Sequence, residues 1–263
     1  MAPVSRAKAK QATATGPAGG SDKVHRAPRQ KKKGKSSGRT SLQTETGVYF
    51  WRDVDPDFGF LSQWYYCPFT DPKDSSIIYH TAEHYMMYQK ALLFGDTETA
   101  AEILTEPSPQ AVRTLGRRVT PFSDETWHKN RERIVLEGSI AKFTLAVSEV
   151  GFRRGNLDEA RDLPVVGGAE GDASAAEDGG GSGRLRAALL ETGDRELVEA
   201  SPRDRIWGVG FGAENAPKQR GRWGMNLLGK ALMETRKILE EGREKEEREE
   251  AKEIAKEEEE EDI

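Results

Sequence analysis

The distribution of aromatic residues limits where this chain can build a core. All five Trp, all six Tyr and all nine Phe of the 263-residue sequence lie between residues 41 and 239. Residues 1–40 carry eleven Lys or Arg and one acid, and residues 240–262 carry fourteen acids and five bases. Such charged segments cannot bury enough apolar surface to offset their chain entropy. One folded domain is therefore expected over 45–239, between two charged ends.

Three segments are predicted to lie outside the core. Residues 155–183 are of low complexity and end in a Gly-rich run, so they are predicted to be a disordered insertion. The basic segment 1–44 reads either as a disordered tail or as a patch for nuclear import or nucleic acid. The Glu-rich end, 240–263, reads either as an exposed helix with i,i+4 charge pairs or as a frayed tail.

Composition also restricts the compartment. A single cysteine, Cys67, excludes an intrachain disulfide and is predicted to be a small core residue. No secretory apolar segment and no stretch long enough to span a bilayer is present. We expect a nuclear or cytoplasmic protein without membrane contact, and the pattern does not indicate an oligomeric state.

Within the domain, helical periodicity predominates over short strands. The sequence predicts a mainly α fold with a small β-sheet. Thr97, Ser108 and Ser123 are predicted N-caps, and Gly95 and Gly116 are predicted helix ends. Helices are predicted over 81–94, 97–105, 109–115, 123–147 and 185–190 and from 226 into the acidic end, with strands over 48–51, 77–79 and 206–209.

Two stretches place a carboxylate among aromatic and cationic residues. Glu83, Met87 and Lys90 fall on one face of the first predicted helix, where a ligand could contact both charges. Equally, Met87 could pack inward with the charges at a solvated rim. Asp204 precedes Ile206-Trp207-Gly208 and reads either as a capping acid or as a site carboxylate. A carboxyl beside aromatic surface is a known way to raise a pKa for proton transfer.

Three further patterns have two readings each. Trp127 and Arg131 are four residues apart, which fits a stacking platform for a ligand ring or a core Trp covered by Arg. His80-Thr81-Ala82-Glu83-His84 matches the inverted zinc-peptidase signature, yet no third ligand follows, so capping or core histidines are favoured. Gly208 allows close approach of a ligand, but no dinucleotide-binding fingerprint follows a strand.

A set of motifs occurs in one order between residues 60 and 236. In that order and spacing they resemble the NADAR family, the NAD- and ADP-ribose-associated domains that include bacterial YbiA. One departure is Gln63, where family members commonly have Asn. The motifs are Phe60-Leu61-Ser62, Tyr79-x-Thr81-Ala82-Glu83-His84-Tyr85-x-x-x-Gln89-Lys90-Ala91, Leu115-Gly116-Arg117, Trp127-x-x-x-Arg131, Ala141-Lys142-Phe143, the stretch 190–208 and the stretch 223–236.

The resemblance implies a compact YbiA-like helical domain that hydrolyses N-glycosidic bonds of ribosylated substrates. Riboflavin-pathway ribosylamino-pyrimidine phosphates and ADP-ribosylated guanine are the implied substrates; the alternative is a non-catalytic module that binds ADP-ribose or NAD. No cofactor or metal is expected. The resemblance supplies Glu83, Lys90, Trp127, Asp204, Trp207 and Asn226 as site residues, to which we add Arg131 and Gly208.

Specific roles follow from the chemistry of glycoside hydrolysis. Glu83 and Asp204 are expected to be catalytic, with their roles interchangeable at this stage. Lys90 and Arg131 are expected to hold phosphate. Trp127 would stack on the base or exclude water, together with Trp207.

Overall fold

The computed structural model describes residues 39–147 and 183–261, and this part is mainly helical, as predicted. The described residues form six α-helices, five short strands and two 3-10 helices, Gly59–Leu61 and Pro217–Arg222. The helices are α1 (Ala82–Leu93), α2 (Thr97–Thr105), α3 (Pro109–Arg118), α4 (Asp124–Thr144), α5 (Gly183–Leu190) and α6 (Leu227–Glu261). The strands are β1 (Leu42–Gln43), β2 (Gly47–Phe50), β3 (Phe69–Thr70), β4 (Ile78–Tyr79) and β5 (Glu196–Glu199).

The larger sheet brings together strands that are distant in sequence. β2 pairs with β1 antiparallel and with β5 parallel, which sets Phe50 opposite Glu199. β5 was not predicted as a strand, and β1 lies within the segment predicted to be a disordered tail, so that prediction is wrong at residues 42–43. Such short strands depend on their pairing partner more than on their own propensity.

The strand predicted over 206–209 is wrong. The chain turns there, because one oxygen of Asp204 accepts hydrogen bonds from the backbone N–H groups of Ile206 and Trp207, both at 2.8 Å. An aspartate that bonds the backbone two and three residues ahead favours a turn over an extended strand. The apolar residues of this segment therefore lie in a loop and not in a strand.

Helix α1 lies at the centre of the helical layer and packs against α2, α3 and α4. It buries Glu83 and His84 as well as its apolar residues. Close packing with α3 requires Gly116, because a Cβ at this position would lie 1.9 Å from the sulfur of Met87. The prediction that Gly116 ends its helix is therefore wrong: α3 continues to Arg118, with Gly116 inside it.

The predicted caps are correct for α3 and α4, but the cap of α2 and the end of α4 differ from the prediction. Ser108 and Ser123 accept hydrogen bonds from backbone N–H groups of α3 and α4, as predicted. The cap of α2 is Asp96 rather than Thr97, since Asp96 accepts from the Thr99 N–H at 3.0 Å. Helix α4 ends at Thr144, three residues early, because the chain beyond it pairs with β3 through Phe69 and Ala146.

The predicted alternatives for the acidic end resolve into one helix. α6 continues across residue 240, and exposed i,i+4 pairs such as Arg248 with Glu244 at 3.2 Å follow one another along it. Exposed pairs of this kind contribute about 0.3–0.5 kcal/mol each. Residues 1–38 of the basic tail and 155–182 of the insertion lie outside the described residues. None of the described helices has the length and apolarity to cross a membrane.

A buried lysine ties α4 to the segment that follows β2. The ammonium group of Lys142 donates to the backbone oxygens of Phe60 at 2.6 Å and Ser62 at 2.9 Å, and Lys142 is 2% exposed. Cys67 is fully buried nearby, in line with its predicted core role. Because buried backbone oxygens need hydrogen-bond donors, this lysine fixes the path of residues 60–62.

We expect Lys142→Met to lower the free energy of unfolding by about 2–5 kcal/mol, since two buried carbonyl groups would lose their donor. Urea unfolding measures the change. Lys129→Met is the matched control on the same helix; its ammonium pairs with Glu125 at the surface, and its loss is expected to cost about 0.5 kcal/mol or less. Equal effects of the two substitutions would contradict the anchoring role of Lys142.

Candidate active site

A cleft of about 350 Å³ lies where α1 and α3 meet the end of β5 and the loop beyond it. Five of the eight predicted site residues line it. The fold thus brings Glu83 and Asp204, which are distant in sequence, to one cavity. The five are Glu83, Lys90, Trp127, Asp204 and Trp207.

Glu83 is the most deeply buried acid of the cleft. It lies in the first turn of α1 and is 4% exposed. Burial raises the pKa of Glu83 to about 7, and the nearby charge of Arg113 and a hydrogen bond from Trp64 oppose part of that rise. A carboxyl with a pKa near neutrality can both accept and release a proton at physiological pH. Glu83 therefore does not belong to a solvated rim.

Glu199, which ends β5, is a third carboxylate in the cleft. Burial raises its pKa to about 8, and the negative charges of Asp204 and Glu83 add to this effect. Its Oε2 atom is buried and has no hydrogen-bond partner among the described residues. A buried polar atom of this kind requires a physical explanation.

Asp204 uses one carboxylate oxygen for structure. Its Oδ1 atom accepts the two backbone N–H groups that make the turn before Trp207. Within the described residues the Oδ2 atom has no hydrogen bond, and the side chain lines the cleft. The capping interpretation of Asp204 is thus confirmed, and its second carboxylate oxygen is not used in the cap.

Lys90 and Trp127 form another part of the cleft wall. The ammonium group of Lys90 donates to the Gly116 carbonyl at 2.7 Å and lies 4.4 Å from the ring centre of Phe122 and 5.4 Å from that of Trp127. Burial lowers the pKa of Lys90, and Asp124 opposes this change. Lys90, not Arg131, is therefore the cation that packs against Trp127.

Two arginines of α3 add positive charge to the rim. Arg113 and Arg117 are one turn apart, line the cleft and are exposed. Neither forms a salt bridge with another residue in the described ranges. Cations that lack a close protein counter-ion at the mouth of a cleft are suited to an anionic ligand.

Three predicted site residues do not line the cleft. Arg131 is buried, with its guanidinium 3.6 Å from the Met225 sulfur. Asn226 has φ 51° and bonds β5: it accepts from the Glu199 N–H at 3.0 Å and donates to the Leu197 carbonyl at 2.9 Å. At Gly208 a Cβ would lie 2.7 Å from the Glu199 carbonyl. Asn226 and Gly208 thus lie against β5 next to Glu199, outside the lining of the cleft.

One histidine of the zinc-like motif, His84, makes hydrogen bonds within the fold. His84 Nε2 donates to the Glu106 carbonyl at 2.7 Å, and its Nδ1 lies 2.8 Å from the Thr81 hydroxyl. Burial lowers the pKa of His84 to about 4, which keeps the ring neutral. In the described part of the chain, no group of three or more His, Cys, Asp or Glu side chains could hold a metal ion.

A larger pocket of about 520 Å³ lies elsewhere, between Asp55 and the end of α5. Its buried acid, Asp55, already accepts backbone N–H groups of Asp57 and Phe58 and a hydroxyl of Thr40. Those hydrogen bonds outweigh the effect of burial and lower the pKa of Asp55. The smaller cleft, where several acids with raised pKa values converge, is the better candidate for catalysis.

Sequence reasoning missed Glu199, Arg113 and Arg117. The arginine pair had a readable signal, since two cations four apart share one face of a helix. Glu199 follows two apolar residues and precedes Ala200, so its place at a buried strand end could have suggested a site. Its proximity to Glu83 depends on pairing between β2 and β5, which local pattern does not reveal.

The raised pKa values predict a pH-dependent stability. Between the ordinary Glu value of 4.5 and about pH 8, the folded state holds protons that the unfolded chain has lost. The free energy of unfolding should therefore fall as pH rises through this window. Relative to the wild type, we expect Glu199→Gln to gain roughly 1–3 kcal/mol between pH 5 and pH 8.5. Urea unfolding at several pH values measures this gain.

The control is Glu132→Gln, an exposed glutamate of α4 that does not line the cleft. Its stability difference from the wild type should stay constant over the same pH range. A constant difference for Glu199→Gln as well would contradict the burial of that carboxyl in the folded state.

Comparison with known proteins identifies relatives over most of the chain. A protein named N-glycosidase R617, from Acanthamoeba polyphaga mimivirus, is 34% identical over 201 residues, which are 74% of this chain and 97% of the relative. A Nostoc punctiforme protein named N-glycosidase Npun_R5314 is 26% identical over 159 residues, 60% of this chain and 73% of the relative.

The fold is also found among solved structures. The NMR structure of Escherichia coli YbiA matches with a TM-score of 0.50 and 25% sequence identity, over 78% of this chain and 90% of that one. The predicted YbiA-like fold is thereby confirmed. The family model of the NADAR domain matches residues 49–240, which include every residue of the cleft. This chain therefore belongs to the NADAR family.

Proposed function

We propose that this protein is an N-glycosidase that hydrolyses the bond between ribose and a base or amine nitrogen. The observation that carries the proposal is the convergence of Glu83, Glu199 and Asp204 in one cleft walled by indole rings. Two relatives that bear the name N-glycosidase support it. The proposed substrates are a ribosylamino-pyrimidine phosphate of the riboflavin pathway or an ADP-ribosylated guanine.

Hydrolysis of this bond passes through a ribosyl cation, so the site needs negative charge and a base for water. In the proposed mechanism Glu83, in its charged form, accepts the proton of the attacking water. The Oδ2 atom of Asp204 accepts a hydrogen bond from a ribose hydroxyl, and its negative charge stabilises the positive charge that develops on the sugar. This assignment orders the two acids that the sequence leaves interchangeable.

The remaining lining residues fit the other parts of such a substrate. Trp127 and Trp207 present apolar faces for the base and limit the access of water. We propose that Arg113 and Arg117 bind the phosphate, in the role that the sequence assigned to Arg131. Lys90 contributes a further cation beside the Trp127 ring.

We expect Glu83→Gln to lower kcat by roughly 10²–10⁴, because the amide cannot accept the proton of water. A ribosylamino-pyrimidine phosphate and an oligonucleotide carrying ADP-ribosylated guanine are incubated with each variant, and products are identified by mass spectrometry. Glu132→Gln is the control and should keep wild-type turnover. Normal turnover by Glu83→Gln would exclude Glu83 as the base.

The same assay separates an enzyme from the alternative, a module that only binds ADP-ribose or NAD. Calorimetry with ADP-ribose accompanies the turnover measurement on wild-type protein. Turnover of either substrate supports the glycosidase. Binding of ADP-ribose with no turnover of either substrate would overturn the proposal in favour of the binding module.

We expect Arg113→Gln and Arg117→Gln each to raise KM for a phosphate-bearing substrate about tenfold, because each loses one charged hydrogen bond. The unphosphorylated analogue should show little change. Arg118→Gln is the matched control on α3, since its guanidinium faces Glu102 at 3.7 Å. An equal rise in KM with and without the phosphate would contradict the assignment.

A further inference from the structure

Glu199 has a firmly held backbone and, among the described residues, one carboxyl oxygen without a hydrogen-bond partner. Its N–H donates to the Asn226 side chain at 3.0 Å, and its carbonyl accepts from the Val209 N–H at 3.0 Å. The carboxyl group lines the cleft, and its buried Oε2 atom has no partner among the described residues. Strand pairing and Asn226 thus hold in the cleft a polar atom that no described residue satisfies.

The surroundings of Glu199 decide its protonation. Asp204 and Glu83 place negative charge beside it, and Arg113 is the positive group that acts on it most. The other charged residues that line the same cavity are Arg52, Asp53, Lys90, Arg117 and Arg203. Carboxylates that share one buried site cannot all be charged at neutral pH.

Of the acids in the cleft, Glu199 is the one that keeps its proton. Asp204 has two backbone N–H donors that stabilise its negative charge, whereas the buried oxygen of Glu199 has none among the described residues. Burial raises the pKa of both Glu83 and Glu199, but a hydrogen bond from Trp64 stabilises the charged form of Glu83, whereas no such donor among the described residues acts on Glu199, so Glu83 is the acid that releases its proton first. One neutral acid beside one carboxylate is the pairing that glycoside hydrolysis uses.

We propose that Glu199 is the general acid that protonates the departing nitrogen, while Glu83 takes the proton of water from the same cavity. This inference rests on the proposed glycosidase function and adds a catalytic residue to it. It also explains the positions of two further residues. Asn226 accepts a hydrogen bond from the Glu199 N–H, and Gly208 leaves room for the Glu199 carbonyl.

The step balances without a cofactor. As the C1′–N bond breaks, its electron pair goes to nitrogen, which takes the proton of the Glu199 carboxyl. The water oxygen bonds to C1′ and gives one proton to Glu83. The products are the free base or amine and ribose with a hydroxyl at C1′. Proton exchange with solvent then returns Glu83 to the carboxylate and Glu199 to the acid.

The test compares turnover of the cleaved substrate from pH 5.5 to pH 9.5 for wild type, Glu199→Gln and Glu83→Gln. We expect the wild-type rate to fall above about pH 8, where Glu199 loses its proton. Glu199→Gln should lose roughly 10²–10⁴ in kcat and should no longer show that fall. The control is Glu196→Gln on the same strand; its carboxylate pairs with Arg220 outside the cleft, and it should retain the wild-type profile.

A second measurement does not depend on the variant being active. Carbon-13 NMR of protein labelled at the glutamate carboxyl carbons should show one carboxyl that titrates near pH 8 and is missing from Glu199→Gln. Titration of that carboxyl near the ordinary Glu value of 4.5 would overturn the proposal.

The outcomes separate this inference from the function on which it rests. Wild-type turnover by Glu199→Gln, with Glu83→Gln inactive, would refute the role of Glu199 and leave the glycosidase intact. A reduced rate that still falls above pH 8 would also refute it, since the group that titrates would then be another one. No turnover by the wild type on either substrate would refute the function itself.

Discussion

The enclosure of α1 by three other helices is the constraint on which the cleft depends. A helix that is surrounded on most sides keeps even its polar residues from water. This burial, more than any single partner, raises the pKa of Glu83 to about 7. The enclosure in turn requires a small residue where α3 crosses, because any side chain larger than that of Gly116 would collide with Met87. The reactivity of the acid thus follows from helix packing.

The second constraint is the joining of β2 to β5. Parallel pairing sets Glu199 opposite Phe50, and Asn226 then ties the same strand to the start of α6. A parallel pair needs a long crossover, and here the helices α1 to α5 lie between the two strands along the chain. The lining of the cleft therefore comes from two separate parts of the chain, residues 51–127 and residues 199–207.

Charge in the cleft is arranged by depth. The acids Glu83 and Glu199 have buried carboxyl oxygens, whereas Arg113 and Arg117 are exposed at the rim. Buried carboxyls retain protons and can exchange them with a ligand, whereas exposed guanidinium groups stay charged and attract anions. A phosphorylated ribosyl compound bound with its phosphate outward would meet both requirements. In the proposed function the buried acids transfer protons and the exposed arginines bind the phosphate.

The helices, most of their caps, the family and five residues of the cleft could be predicted from the amino-acid sequence, because those features depend on local periodicity or on motif spacing. Glu199 stood inside a recognised motif, yet its contribution to the cleft could not be read from spacing. Packing of the whole domain places Glu199 in the lining of the cleft and leaves Arg131, Gly208 and Asn226 outside it. Local pattern cannot predict this placement, because burial and charge proximity, which set the chemistry of a carboxyl, arise when distant segments pack together.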